Sequence, residues 1–349
     1  MCSTGVPAAF AVIQVVPVNL SGFLILIPAA SDFMPGASGI IHSVVSSYLS
    51  GMDQLPVMVT GANGFLGHSL CAQLLDKGIP VIATGTGDCR LPYAGHPLLQ
   101  YASFDIQDAT MAHSLVSRHR PGLIIHAAAL CKPDECELQP EKAHRINVEG
   151  TRYLLEAAGK QGCRFLYVST DFIFRGDKGM YTEEDTPDPV NYYGQTKWEA
   201  EQLVQQYTGP FAIARTVLVY GKPPAGKSNI LTIVKEKLEK GEGYKVVSDQ
   251  VRTPTYVEDL ARGMALMIEK KATGIYHLSG EEVMTPYDMA CRVADYFGYD
   301  QSLLANVTAA TFSQPARRPL KTGFLITKAK RELGYAPVSF AEGLQKTFA

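Results

Sequence analysis

The apolar run Val57-Met58-Val59-Thr60 leads directly into Gly61-Ala62-Asn63-Gly64-Phe65-Leu66-Gly67, so a strand meets three glycines spaced by three where a helix begins. Glycine has no Cβ, which lets backbone N–H groups approach a pyrophosphate, and the helix start adds a positive dipole end. Leu66, Leu70 and Leu74 then fall on one stripe, Gly78 stops the helix, and Ile79-Pro80-Val81-Ile82-Ala83 reads as the next strand. One βαβ unit of this kind is the form a dinucleotide site takes, although the glycine spacing departs by one residue from the usual G-x-G-x-x-G.

Strand and helix patterns keep alternating as far as Gly221. Strands read at Gln100–Phe104, Leu123–Ala127, Arg164–Val168 and Phe211–Val217, and helices start at Asp108, run from Glu141 to Ala158 and from Lys197 to Tyr207. This alternation predicts an α/β fold, a Rossmann doubly wound parallel sheet forming an NAD(P)-binding domain over residues 52–221. Past Gly221 the pattern loosens, and Pro223-Pro224 and Gly226 form a linker-like stretch before a helix at Leu231–Lys240. Residues 222–349 are expected to form a smaller mixed C-terminal domain, mainly substrate-binding, with part returning to the Rossmann sheet. Residues 1–51 read as an N-terminal extension outside the fold, with Met52 as the functional start. The apolar span Val6–Ala30 is long enough to cross a membrane, but Pro7, Pro17, Pro28, Gln14 and Asn19 interrupt it and no basic segment precedes it. A membrane is therefore not an expected partner.

With 46% hydrophobic residues, a chain of 349 residues can bury a large core in one big domain or two closely packed ones. The net charge of −2 shows no basic excess, which argues against nucleic acid as a partner. Seven cysteines without a C-x-x-C pair argue against a disulfide framework and a zinc site, so no metal ligands are expected and a reducing cytoplasm fits best.

The second strand ends in Thr84-Gly85-Thr86-Gly87, without the carboxylate that grips a ribose 2′-OH and repels a 2′-phosphate. NADPH is therefore the expected cofactor, with Thr86 and Arg90 near its 2′-phosphate, while Asp88 keeps NADH open. Asp105, beside Ile106 after the third strand, is placed to accept from the adenine amino group, unless it or Asp108 caps the next helix. Ala127-Ala128-Ala129 after the fourth strand leave room for a cofactor against the backbone, and His126 reads as a satisfied sheet-end histidine. Ser169-Thr170-Asp171 follow the fifth strand, and Tyr193 and Lys197 lie four residues apart on one helix face. An ammonium there favours the phenolate, and a phenol tuned toward working pH serves as general acid or base at a carbonyl, with Thr170 hydrogen-bonding the same oxygen. The Y-x-x-x-K spacing alone is common. Its position after a βαβ unit and a Ser-Thr pair is what makes it informative.

These segments resemble the extended short-chain dehydrogenase/reductase family, and more closely its dTDP-4-dehydrorhamnose reductase branch. Further matches are Asp134-Glu135-Cys136-Glu137, Pro140-Glu141, Asn147-Val148, Phe172-Ile173-Phe174, Arg215-Thr216, Val219-Tyr220-Gly221, Ser248-Asp249-Gln250, Pro254-Thr255, Gly274 to Leu278 and Arg318-Pro319. The resemblance runs from Met52 to Ala349. It implies hydride transfer from NAD(P)H to the C4 carbonyl of a nucleotide-linked 4-keto-6-deoxy sugar, with Tyr193 as proton donor, Lys197 on the nicotinamide ribose and Thr170 tuning the hydrogen bond. Gly61, Asn63, Gly64, Phe65, Leu66 and Gly67 would hold the cofactor. Asp171, Gln250, Arg252, Pro254 and Thr255 would line the sugar pocket, with Arg252 either meeting the substrate diphosphate or lying exposed at the surface. The acidic residues that link some members into a magnesium-dependent dimer cannot be placed here, which leaves Mg²⁺ and a homodimer open. An epimerase or dehydratase on another nucleotide sugar, and a regulatory subunit resembling the methionine adenosyltransferase beta subunit, share these features.

Overall fold

The computed structural model describes residues 55–349; the extension at residues 1–51, its apolar span and the start at Met52 lie outside the described residues. The first half runs β1 (Val57–Thr60), α1 (Phe65–Asp76), β2 (Val81–Gly85), β3 (Leu99–Ser103), α2 (Ala109–His119), β4 (Leu123–His126), α3 (Pro133–Leu138), α4 (Pro140–His144), α5 (Gly150–Gln161), β5 (Arg164–Thr170), α6 (Tyr192–Gln205) and β6 (Phe211–Thr216). The second half runs β7 (Val219–Tyr220), α7 (Ile230–Glu239), β8 (Tyr244–Val247), β9 (Thr255–Tyr256), α8 (Val257–Glu269), β10 (Gly274–His277), α9 (Pro286–Phe297), β11 (Leu304–Val307), α10 (Thr327–Leu333) and α11 (Phe340–Phe348).

Seven parallel strands form the central sheet in the order β10-β6-β5-β4-β1-β2-β3. Val57, Val59 and Ile125 pack on one face against Leu70 and Leu74 of α1 and Leu260 and Met264 of α8. Met58, Ile124, Phe165 and Ile213 pack on the other against Leu115, Leu154 and Val204 of α2, α5 and α6. Burial on both faces explains why these strands read as continuous apolar runs rather than alternating ones. The strand order reverses between β1 and β4, and the loops leaving those strands at their carboxyl ends mark the expected ligand crevice.

β10 joins this sheet from the second half of the chain, and Glu258 at the start of α8 accepts hydrogen bonds from Ser69 (2.6 Å) and Gln73 (2.8 Å) of α1. A separate core gathers Leu231, Val234, Met289 and Val293 of α7 and α9 with Leu304 of β11, beside the two-stranded pair β8–β11. Two expected helices differ: α6 starts at Tyr192, ahead of the Lys197 that the sequence suggested, and another is interrupted. The helix read as continuous from Glu141 to Ala158 is instead α4, a π-helical turn at Arg145–Glu149 and α5. The wide turn coincides with Asn147, whose side chain leaves the helix to bond elsewhere, and such turns gather at functional sites.

Candidate active site

Gly61 has φ +72°, and a Cβ there would lie 2.8 Å from the Ala128 nitrogen; at Gly67 a Cβ would lie 2.6 Å from the Ala62 Cα. The backbone of β1, α1 and the Ala127–Ala129 loop is thus packed to a closeness that any side chain would break. Helix α1 begins at Gly64 with no side-chain cap and no acidic residue in its first turn, so the N–H groups at its start keep a free positive end. A cradle closed to side chains and rich in bare N–H donors fits a dinucleotide pyrophosphate.

Asn63 faces the loop after β2. Its amide donates to the Asp88 carbonyl (2.9 Å) and to the Tyr101 hydroxyl (2.8 Å), and its oxygen accepts from the Arg90 nitrogen (2.9 Å). Tyr101 lies within hydrogen-bond reach of the Gly85 (3.0 Å) and Gly87 (2.9 Å) carbonyls. Thr86 and Arg90 are therefore held on a loop fastened from both sides, and Tyr101 is a participant that the sequence reading missed. Asp108 caps α2 through the Met111 nitrogen (2.9 Å), and Asp105 accepts from the Gln107 nitrogen (3.0 Å), which leaves Asp105 exposed beside Ile106.

His126 is the satisfied histidine that the sequence suggested, and it belongs to a chain of polar contacts. The Ala128 nitrogen donates to Thr60 Oγ1 (3.2 Å), Thr60 pairs with His126 Nδ1 (2.7 Å), His126 Nε2 pairs with Thr151 Oγ1 (3.0 Å), and Thr151 donates to the Asn147 carbonyl (2.7 Å). Asn147 accepts from the Leu130 nitrogen (2.8 Å) and donates to Thr196 (3.0 Å), which donates to the Tyr193 carbonyl (2.9 Å). The Ala127–Ala129 loop and helix α6 are so joined through the interior. Burial, then the nearby Lys197 charge, pushes the His126 imidazolium down to about 3 and keeps the ring neutral.

At the end of β5, Thr170 donates to Asp171 (3.1 Å) and accepts from the Phe172 nitrogen (3.2 Å). Asn191 caps α6 through the Gly194 nitrogen (2.8 Å), and any Cβ on Gly194 would collide with the Phe172 carbonyl. This close approach brings Tyr193 to Thr170, with the Tyr193 ring edge-on to Phe172 at 5.8 Å. Lys197 donates to the Val168 carbonyl (2.8 Å) and lies 4.1 Å from the Tyr167 ring centre. Burial pushes its ammonium down to about 7, against the pull of Glu201. The Tyr193 phenol moves opposite to the sequence expectation. Burial raises it well above its ordinary value, with Cys131 adding to the rise and the Thr170 hydrogen bond opposing it. Desolvation outweighs the lysine, which directs one of its three donors to Val168, and the result is a neutral phenol.

Of the expected sugar-pocket residues, Asp171, Gln250 and Arg252 are brought together, but with other duties. Asp171 is buried against Arg252 (Nε–Oδ2 3.5 Å) and also accepts from Thr322. Arg252 is 3% exposed and donates to the carbonyls of Val251 (2.8 Å), Leu320 (3.0 Å) and Pro319 (2.6 Å), with the Gln250 amide oxygen at 3.5 Å. Its donors are committed inside the protein, unlike the diphosphate contact or the exposed arginine that the sequence allowed. Thr255 is likewise buried and donates to the Val217 carbonyl (2.6 Å), and the Pro254 carbonyl packs against Gly280.

A parallel sheet with its switch point at a glycine turn defines a Rossmann-like fold. Residues 55–349 match the RmlD substrate binding domain, and the chain belongs to that family, an extended short-chain dehydrogenase/reductase-like group that includes oxidoreductases. Among its relatives are the dTDP-4-dehydrorhamnose reductase of Aggregatibacter actinomycetemcomitans, 32% identical over 83% of this chain and 97% of that protein, and the methionine adenosyltransferase 2 subunit beta of Xenopus tropicalis, 33% identical over 72% and 75%. The crystal structure of dTDP-4-dehydrorhamnose reductase from Bacillus anthracis in complex with NADP superposes with a TM-score of 0.74 at 29% identity, covering 84% of this chain and 99% of that one.

Proposed function

We propose that this chain is an NADPH-dependent reductase of a nucleotide-linked 4-keto-6-deoxy sugar, acting on dTDP-4-dehydro-L-rhamnose to give dTDP-L-rhamnose. The observation that carries this reading is a buried Tyr193 beside Thr170 at the end of β5, across the switch point from a glycine turn that fits a dinucleotide. Gly61, Asn63, Gly64, Phe65, Leu66 and Gly67 would hold the pyrophosphate, and Thr86 and Arg90 the 2′-phosphate. The bound cofactor supplies the hydride. Reduction of a carbonyl needs a proton donor, and a phenol held neutral is the competent form. Thr170, held by the Phe172 nitrogen, would turn its hydroxyl from Asp171 to donate to the same substrate oxygen. Lys197, one helical turn from Tyr193, would meet the nicotinamide ribose and, in its protonated form, stabilise the phenolate that is left behind.

The test is sugar-dependent oxidation of NADPH, followed by absorbance, with enzymatically made dTDP-4-keto-6-deoxy sugar and its epimerase. Tyr193→Phe should lower turnover by about two or more orders of magnitude while cofactor affinity holds. Full activity in that variant would refute the mechanism. Net oxidation also separates a reductase from an epimerase, which returns its hydride within each turnover. A second reading, an NADP-binding regulatory subunit, is favoured by relatives described as methionine adenosyltransferase 2 subunit beta. Cofactor binding without oxidation, together with capture of a methionine adenosyltransferase partner, would favour it.

A further inference from the structure

We infer that Lys227, on the loop between β7 and α7, is a ligand of the cofactor pyrophosphate. Its Nζ reaches across the crevice to donate to the Asn63 carbonyl at 3.2 Å, a contact between residues 164 apart in sequence. Asn63 immediately precedes Gly64, the first residue of an α1 start that has neither a side-chain cap nor an acidic residue in its first turn. An ammonium there faces the positive end of a helix dipole, the arrangement that dipole electrostatics disfavour unless an anion shares the space. The bond it makes goes to a neutral carbonyl, which does not offset that charge. Bare N–H groups, a glycine cradle and a lysine therefore converge on one locus whose electrostatics call for an anion.

The loop is built to hold this position. Asn229 donates to the Gly221 carbonyl (2.7 Å) at one end and caps α7 through the Leu231 nitrogen (3.0 Å) at the other. Between them, the Lys227 nitrogen closes a turn onto the Pro224 carbonyl (3.0 Å), with Gly226 at φ +76°. The sequence reading took this stretch for a linker. It carries instead a cation from the second half of the chain onto the nucleotide cradle of the first.

The inference rests on the NADPH reading above, and fluorescence titration of the full chain distinguishes the two. Lys227→Met should raise the Kd for NADPH about tenfold or more, and Lys227→Arg should stay within about threefold of the parent. The Lys227→Met protein should also lose affinity less steeply with added salt, because one phosphate contact is gone. Its melting temperature without cofactor should match the parent. An unchanged NADPH Kd in Lys227→Met would overturn the assignment while leaving the cofactor reading intact. Failure of the parent protein to bind either NADPH or NADH would overturn both. A parallel titration with dTDP identifies the diphosphate concerned: weakened dTDP binding with unchanged NADPH binding would move Lys227 to the substrate and refute the inference.

Discussion

Around the Gly61–Gly67 turn, geometry is set by side chains that are absent: a Cβ at Gly61 or Gly67 would strike backbone, and α1 begins uncapped. Where Asp171 meets Arg252, geometry is set by buried charge: a carboxylate and a guanidinium, each about 3% exposed, tied to carbonyls from residues 251, 319 and 320. The first region leaves its polar groups free for a ligand. The second uses nearly all of them on the protein itself, and so joins the end of β5 to the C-terminal segments that cover it. Variants in the two regions should fail in different currencies, affinity in one and stability in the other.

The largest stability effect is expected at the junction. Burial pushes the Asp171 carboxyl up and Arg252 pulls it back, so Arg252→Met strands a buried acid and three carbonyls. Denaturant unfolding should show a loss of about 3–5 kcal/mol, and Asp171→Asn in the same protein should restore part of it. A loss below about 1 kcal/mol would mean that the pair is not desolvated as the structure has it. Next comes Lys197. Its folded value of about 7 lies below the ordinary lysine value, so between about pH 7 and 10.5 the unfolded chain holds the extra proton and stability rises with pH. Parent protein should therefore gain stability relative to Lys197→Met across that window, by roughly a few kcal/mol in all, with little relative change below pH 6. Parallel pH–stability curves would show that the Lys197 ammonium is not desolvated.

The same contrast explains what was legible in the sequence. The parallel sheet, the βαβ unit and the histidine at the end of β4 follow from local patterns of glycine, apolar runs and strand ends, and the structure reproduces them. The partners of Arg252 were not legible. A sequence shows an arginine among polar residues but not that carbonyls 67 and 68 positions away will take up its donors. The direction of the Tyr193 shift was hidden for a related reason, since helical spacing fixes the neighbour and burial fixes the dielectric. Tyr101 and Asn147 carry no motif of their own, and Lys227 lay in a stretch whose prolines and glycine suggested only a linker.

The smallest effect should fall on the nucleotide side, at Tyr101. Its hydroxyl accepts from Asn63 and reaches the Gly85 and Gly87 carbonyls, fastening the loop that bears Thr86 and Arg90. Tyr101→Phe keeps the ring and removes these contacts, which should lower stability by only about 1 kcal/mol. Because the residues proposed to meet the 2′-phosphate ride on that loop, Kd for NADPH should rise several-fold while Kd for NADH stays nearly level. Equal weakening of both would mean that Tyr101 supports the adenosine site in general, and a large stability loss without an affinity change would erase the division between the two regions. A selective loss for NADPH would tie the preference to the loop itself. A carboxylate's absence from the end of β2 would then permit a 2′-phosphate, and the Asn63–Tyr101 fastening would hold the groups that favour it.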